Sequence, residues 1–172
     1  MEKEKCTTCG KSKALLNCGI CTVFVCKHCA QIIEEDAFSF LDAQKPEMLH
    51  TTFCNTCFDE KIAPDLADYQ QTMEAAKNIE VYFKDQGKET RLMKRIDVVF
   101  KIVDCPDRNE AIMRLAFKTV KMGFNSVIDV DIIGKKVKMG AYQTHSYQAT
   151  GVPSNIHSNN VVHDRSIWQS RN

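Results

Sequence analysis

The chain has 172 residues, 44% hydrophobic and 26% charged, with a formal net charge of +1. That length gives room for two small domains, and the near-balanced charge excludes a protein that grips polyanions by bulk positive charge. Met1 to Lys13 is charged and polar, unlike a secretion signal, and nothing downstream is long and apolar enough to span a membrane. A cytoplasmic, reducing setting is therefore expected.

Eight of the nine cysteines form four Cys-x-x-Cys pairs: Cys6/Cys9, Cys18/Cys21, Cys26/Cys29 and Cys54/Cys57. Each pair supplies half of a tetrahedral metal site, so four pairs make two four-sulfur sites. In a reducing compartment such pairs hold metal rather than each other. Iron–sulfur ligation fits less well, because it favours one run of cysteines with a proline cue. The expected cofactors are two structural Zn2+ ions. Pairs two and three lie four residues apart, too close to share one ion easily while the outer pairs share another. Interleaving solves this: Cys6, Cys9, Cys26 and Cys29 take one zinc, and Cys18, Cys21, Cys54 and Cys57 the other. The sequential pairing, one with two and three with four, stays open. Leu15, Leu16, Ile20, Val23, Phe24 and Val25 are expected to form the small core around the metal turns. His28, between two ligands, reads as a surface residue.

Residues 1–61 hold seven lysines, no arginine and nine acids. Two tetrathiolate zincs would make this module more negative by four charges. It is thus acidic, which argues against nucleic acid or an anionic membrane as its partner.

The spacing C-x2-C-x8-C-x2-C-x4-C-x2-C-x24-C-x2-C resembles the FYVE-type zinc finger. The centre CGICTVFVCKHC and the closing segment HTTFCNTCFDEKI carry the resemblance. It implies a cross-braced two-zinc scaffold. The lipid-reading residues of that family do not carry over. MEKEKC, KALLNC and TTFC stand where WxxD, RRHHCR and RVC would be, and the first arginine is Arg91. Phosphoinositide binding is therefore a disfavoured alternative.

Residues 30–43 place Ile33, Ala37, Phe40 and Leu41 at helical spacing, predicting a helix that Lys45-Pro46 ends. A connecting segment, 62–78, is predicted to be helical over 64–78, with Pro64 in its first turn and Leu66, Tyr69, Met73 and Ala76 on one face. From residue 79 the pattern becomes strand-like: a strand at Ile79–Phe83, a turn at KDQGKET and a strand over Arg95–Val103. The strand would put Ile96, Val98, Phe100 and Ile102 on one face. Pro106 and Asp107 open a helix with Ile112, Leu115, Ala116 and Val120 as its stripe and Gly123 as its C-terminal cap. NSVIDVDII is the next strand, Gly134-Lys135-Lys136 a hairpin turn, and VKMGAYQTHSYQATGVP the return strand. The expected fold class is α+β: a small two-zinc module, then one helix on a four-strand antiparallel sheet.

The run NEAIMRLAFKTVKMGFNSVIDVDI and the closing HSYQATGVPSNI are similar to the YbjQ family, also described as a heavy-metal-binding domain. The likeness covers about residues 79–157. It implies a small dodecin-like α+β domain and a homo-oligomer, with pentameric rings typical of some members. The heavy-metal label has no matching residues here, since the domain has a single cysteine, Cys105, which reads as a buried inert thiol. His145, His157 and His163 lack ligand-like spacing. Tyr142, His145 and Tyr147 are candidates for a pocket but read better as sheet surface. Asp129 and Asp131 read as a solvated face or as partners of Lys135 to Lys138 rather than as acid–base groups. Residues 158–172 form a polar tail expected to be disordered, with Trp168 a candidate docking point.

No nucleotide loop, nucleophile arrangement or open metal site is present in the sequence, so an enzyme is not expected. The leading expectation is a zinc-stabilised, oligomeric binding or adaptor protein acting on an unidentified protein partner. The alternative is small-molecule or metal-ion binding by the C-terminal domain.

Overall fold

A computed structural model describes residues 4–11, 14–87, 90–140 and 142–156. The chain divides into two compact units, residues 1–71 and 72–172, and the class is mixed α+β.

The first unit is built from two minimal hairpins. Strands β1 (Leu16–Asn17) and β2 (Phe24–Val25) pair antiparallel, as do β3 (Gln31–Ile32) and β4 (Thr52–Phe53). Strands of two residues cannot hold themselves together. They are stabilised by a core of Val25, Phe38, Met48, Phe53 and Ile62 interleaved with Cys6, Cys18, Cys26 and Cys54. Leu16, Ile20, Val23 and Phe24 pack against this core as the sequence suggests, but Leu15 is 86% exposed.

The helix expected over 30–43 does not form. Its first residues are claimed by β3, and the rest winds through successive tight turns, with Ala37 N–H on Glu34 O, Ser39 N–H on Asp36 O and Leu41 N–H on Phe38 O. These turns drive Phe38 into the core, edge-on to Tyr69 with ring centroids 5.5 Å apart. Of the expected stripe, Ile33, Ala37 and Leu41 pack against the core but Phe40 does not join it, so their spacing serves a folded-over loop.

The helix expected at 64 begins nine residues earlier. Cys54 caps α1 (Asn55–Cys57), a π-turn spans Phe58–Ile62, and α2 runs Ala63–Lys77. Pro64 explains the π-turn. A proline inside a helix lacks an N–H and its ring clashes with the carbonyl four residues back. Here the ladder shifts just before it, with Ala63 N–H bonding Phe58 O.

The second unit is one helix on a four-strand sheet of order β5-β7-β8-β6. The strands are β5 (Glu80–Phe83), β6 (Phe100–Cys105), β7 (Ser126–Met139) and β8 (Tyr142–Ser154). The sheet is not wholly antiparallel: β5 runs parallel to β7. Helix α3 (Arg108–Lys121) starts where the sequence places it. Asp107 caps it by accepting from Asn109 N–H (2.8 Å) and Glu110 N–H (3.0 Å), and Gly123 leaves it at φ +81°. Its buried face is Ala111, Leu115, Ala116, Phe117 and Thr119, one step around from the expected stripe. Leu115 meets Val127, Val130, Phe100 and Ala149 of the sheet. Segment 95–99 stays outside the strand, and Val98 and Val99 are exposed.

The expected turn at Gly134–Lys136 is strand. β7 continues to Met139, which pairs with Tyr142, so the reversal lies beyond Met139 rather than at Gly134. Gly134 instead lies opposite Tyr147, where a Cβ would come 3.1 Å from the ring. Asp129 sits in a bulge at φ +53°, and its carboxylate takes two hydrogen bonds from Arg95, at 2.8 and 3.1 Å. It does not pair with the Lys135–Lys138 run.

Candidate metal centres

The fold brings together Cys6, Cys9, Cys26 and Cys29 in one group, and Cys18, Cys21, Cys54 and Cys57 in another. Within each group all four sulfurs lie within 4.8 Å of one another. The sulfurs group in the interleaved way and not in the sequential one. Cys9 Sγ and Cys26 Sγ are 3.7 Å apart, as are Cys21 Sγ and Cys54 Sγ. Four sulfurs bonded at about 2.3 Å to one ion would be about 3.8 Å apart along each tetrahedral edge. A disulfide would need about 2.05 Å, and all nine cysteines are free. The spacing therefore fits one four-coordinate ion per group.

Each centre joins two different kinds of turn. Pairs one and two sit on matching knuckles. In the first, Gly10 N–H bonds Cys6 O (2.8 Å) and Cys6 N–H bonds Lys11 O (3.0 Å). In the second, Thr22 N–H bonds Cys18 O (2.9 Å) and Cys18 N–H bonds Val23 O (3.0 Å). The residue after each second cysteine is left-handed: Gly10 at φ +69° and Thr22 at φ +61°. Pairs three and four sit on helical turns instead. Ala30 N–H bonds Cys26 O (3.0 Å), and Phe58 N–H bonds Cys54 O (2.9 Å). Thr7 fastens the first knuckle to β2, its N–H and Oγ1 both donating to Phe24 O. Gly19 N–H donates to Thr52 O (2.9 Å), joining the second knuckle to β4.

Backbone N–H groups point at the sulfurs. Cys26 N–H donates to Cys6 Sγ (3.3 Å) and Cys57 N–H to Cys54 Sγ (3.5 Å). The N–H groups of Cys26 and Cys9 lower the Cys6 thiol to about 6. Burial pushes Cys18 up, but the N–H groups of Cys21, Cys54 and Ile20 outweigh it and bring that thiol to about 6. The neighbours move the other way. Hydrogen bonding with Cys26 and Cys9 pushes Cys29 up to about 12, and burial raises Cys54 and Cys57. Each group thus favours a thiolate supported by backbone donors and adjoining thiols. A divalent cation would displace the remaining protons.

Gly19 was not visible as a site residue from sequence. A Cβ there would fall 2.3 Å from Cγ of His50, so the knuckle and the chain before β4 meet only because position 19 has no side chain. The repeated Cys-x-x-Cys-x-x pattern with its left-handed fifth residue was the available signal for Gly10 and Thr22. His28 is exposed and belongs to neither group.

The remaining candidates stay apart. Cys105 is buried beneath α3, its thiol raised chiefly by burial. His145 stacks on Tyr147, centroids 6.3 Å apart, on an exposed stretch of β8, and Tyr142 is 82% exposed. Tyr142 and His145 are sheet surface, while Tyr147 packs against the core beneath α3. His157, His163 and Trp168 lie outside the described residues. Among the described residues no further group of three Cys, His, Asp or Glu converges, and no helix is long and apolar enough to cross a membrane.

No family model, curated protein or solved structure matches this chain.

Proposed function

We propose that this chain is a zinc-stabilised binding protein, in which two tetrathiolate Zn2+ centres fold the N-terminal unit and the unit's surface engages a protein partner. The observation that carries it is the interleaved pair of four-sulfur groups. Four thiolates fill a tetrahedral ion, leaving no position for water or substrate, so the metal serves structure. The small core of residues 4–71 explains why it is needed: strands of two residues must be held by something stronger than their own hydrogen bonds. Leu15, Ile32 and Leu49, 86%, 61% and 68% exposed, offer apolar contact to a partner. The C-terminal unit is read as the oligomerising element, following its likeness to the YbjQ family, which would display several fingers and raise avidity.

The test is metal analysis combined with light scattering on the purified chain. The reading expects two zincs per 19.6 kDa chain and a mass that is a multiple of it. Cobalt substitution should give the spectrum of a tetrathiolate. One ion per chain, or a site with oxygen or nitrogen ligands, would sink the metal assignment. A monomeric mass would remove the avidity argument.

A further inference from the structure

We infer that the outer part of the β7–β8 hairpin is a docking arm for an anionic lipid surface. β6 pairs with β8 only as far as Cys105 opposite Tyr147, and β5 pairs with β7 only as far as Phe83 opposite Val130. Beyond that the two strands continue by themselves, from Gly134 opposite Tyr147 to Met139 opposite Tyr142. At about 3.4 Å per residue, this two-stranded ribbon reaches roughly 17 Å past its neighbours. An isolated ribbon of this size is marginal in water and adds little to the core.

The ribbon is chemically two-sided. The register past the bulge is regular, so directly opposed residues share a face. On the face that carries Ile132 and Tyr147 toward α3, the outer positions are Lys136 opposite His145 and Lys138 opposite Gln143. On the other face stand Ile133, Val137 and Tyr142, 53%, 38% and 82% exposed, with Lys135 among them. From Ile132 to Ser154 the sequence contains no Asp or Glu. The three lysines are exposed, and no ion pair to them occurs among the described residues.

Entering an interface end-on, the ribbon would bring Val137 and Tyr142 to the acyl chains while Lys135 on their face and Lys136 and Lys138 on the opposite face reach anionic headgroups on either side. Tyrosine at the end of the ribbon adds a ring that tolerates both environments. A nucleic-acid groove would match the lysines but leave Ile133 and Val137 without an apolar counterpart. The ribbon belongs to the second unit and shares no residue with the cysteine groups, so its test reads independently of metal content.

The experiment is vesicle co-sedimentation of the full, metal-replete chain. Vesicles of phosphatidylcholine alone are compared with vesicles containing about a third phosphatidylserine. The expected result is binding to the anionic vesicles at about 0.1 M salt, weakened at about 1 M. Each lysine lost should lower the partition roughly fivefold, so the K136A/K138A double variant should fall roughly 25-fold. Tyr142→Ser should lower what binding persists at high salt, and Lys121→Ala, on α3, should change nothing. These positions are exposed, and circular dichroism checks that the variants fold. Equal binding to both vesicle types, binding that survives K136A/K138A, or no binding to either vesicle type, with or without binding to a short DNA duplex, would overturn the inference.

Discussion

At Thr22 a β-branched residue occupies the left-handed region that Gly10 fills in the matching knuckle. Such a conformation costs a non-glycine residue about 1–2 kcal/mol. Thr22→Gly should therefore stabilise the first unit, by about 1 kcal/mol after its Oγ1 bond to Cys21 O is lost, read by denaturant melting of the metal-loaded chain. Gly19→Ala should act oppositely, costing about 1–3 kcal/mol by overpacking against His50 and speeding metal loss to a chelator. The thiols give signed pH predictions. In the metal-free chain Cys6 and Cys18 are depressed from 9.0 to about 6, so their contribution to stability is full above pH 9 and is lost as pH falls through 6. Cys105 is raised above 9.0, so its contribution is present below pH 9 and lost as pH rises beyond. The melting temperature of the C-terminal unit should drop on going above pH 9, and drop less in Cys105→Ala. The cysteine grouping was legible because a four-residue gap between pairs two and three leaves few ways to share ions. Gly19 was not legible, because its reason is a histidine thirty-one positions away.

Helix α3 was legible nearly to the residue, since its signals are local: Asp107 before the first turn, glycine after the last, and apolar spacing between. Removing that cap by Asp107→Ala should cost about 1 kcal/mol in a thermal melt. The segment 30–43 was misread because the turns at the cysteine pairs and the pairing of β3 with β4 override a helical period that local sequence supports. The hairpin turn was misplaced for a related reason. Both Gly134 and Gly140 suit a reversal, and the choice is made by the bulge at Asp129 and by Tyr147 lying over Gly134. Parallel pairing of β5 with β7 was invisible because nothing local distinguishes it. Pro64 sets the phase of its helix. Each residue turns the helix by about 100°, so the π-turn fixes where Leu66 and Tyr69 point relative to Cys57. Deleting Glu60 should rotate the helix beyond it by about 100°, swing Tyr69 off Phe38 and lower stability by several kcal/mol, while Cys54 and Cys57 keep their places at the helix start.

At the scale of the whole chain, the two units own separate cores, one threaded by cysteines and one free of the paired ones. Chelation should consequently strip amide hydrogen-exchange protection from residues 14–71 and leave α3 and the β7–β8 pair protected. Loss of protection in both units together would show that they fold as one body. Interleaving has a further result for how the first unit fills. An ion in the first group would close the loop from Cys9 to Cys26, and that loop carries Cys18 and Cys21, half of the second group; an ion in the second would close Cys21 to Cys54 across Cys26 and Cys29. Whichever ion arrives first shortens the search for the other by ordering part of its ligand set. Loading should be positively cooperative, so a titration watched by native mass spectrometry should pass from empty to doubly filled chains with little of the singly filled species between.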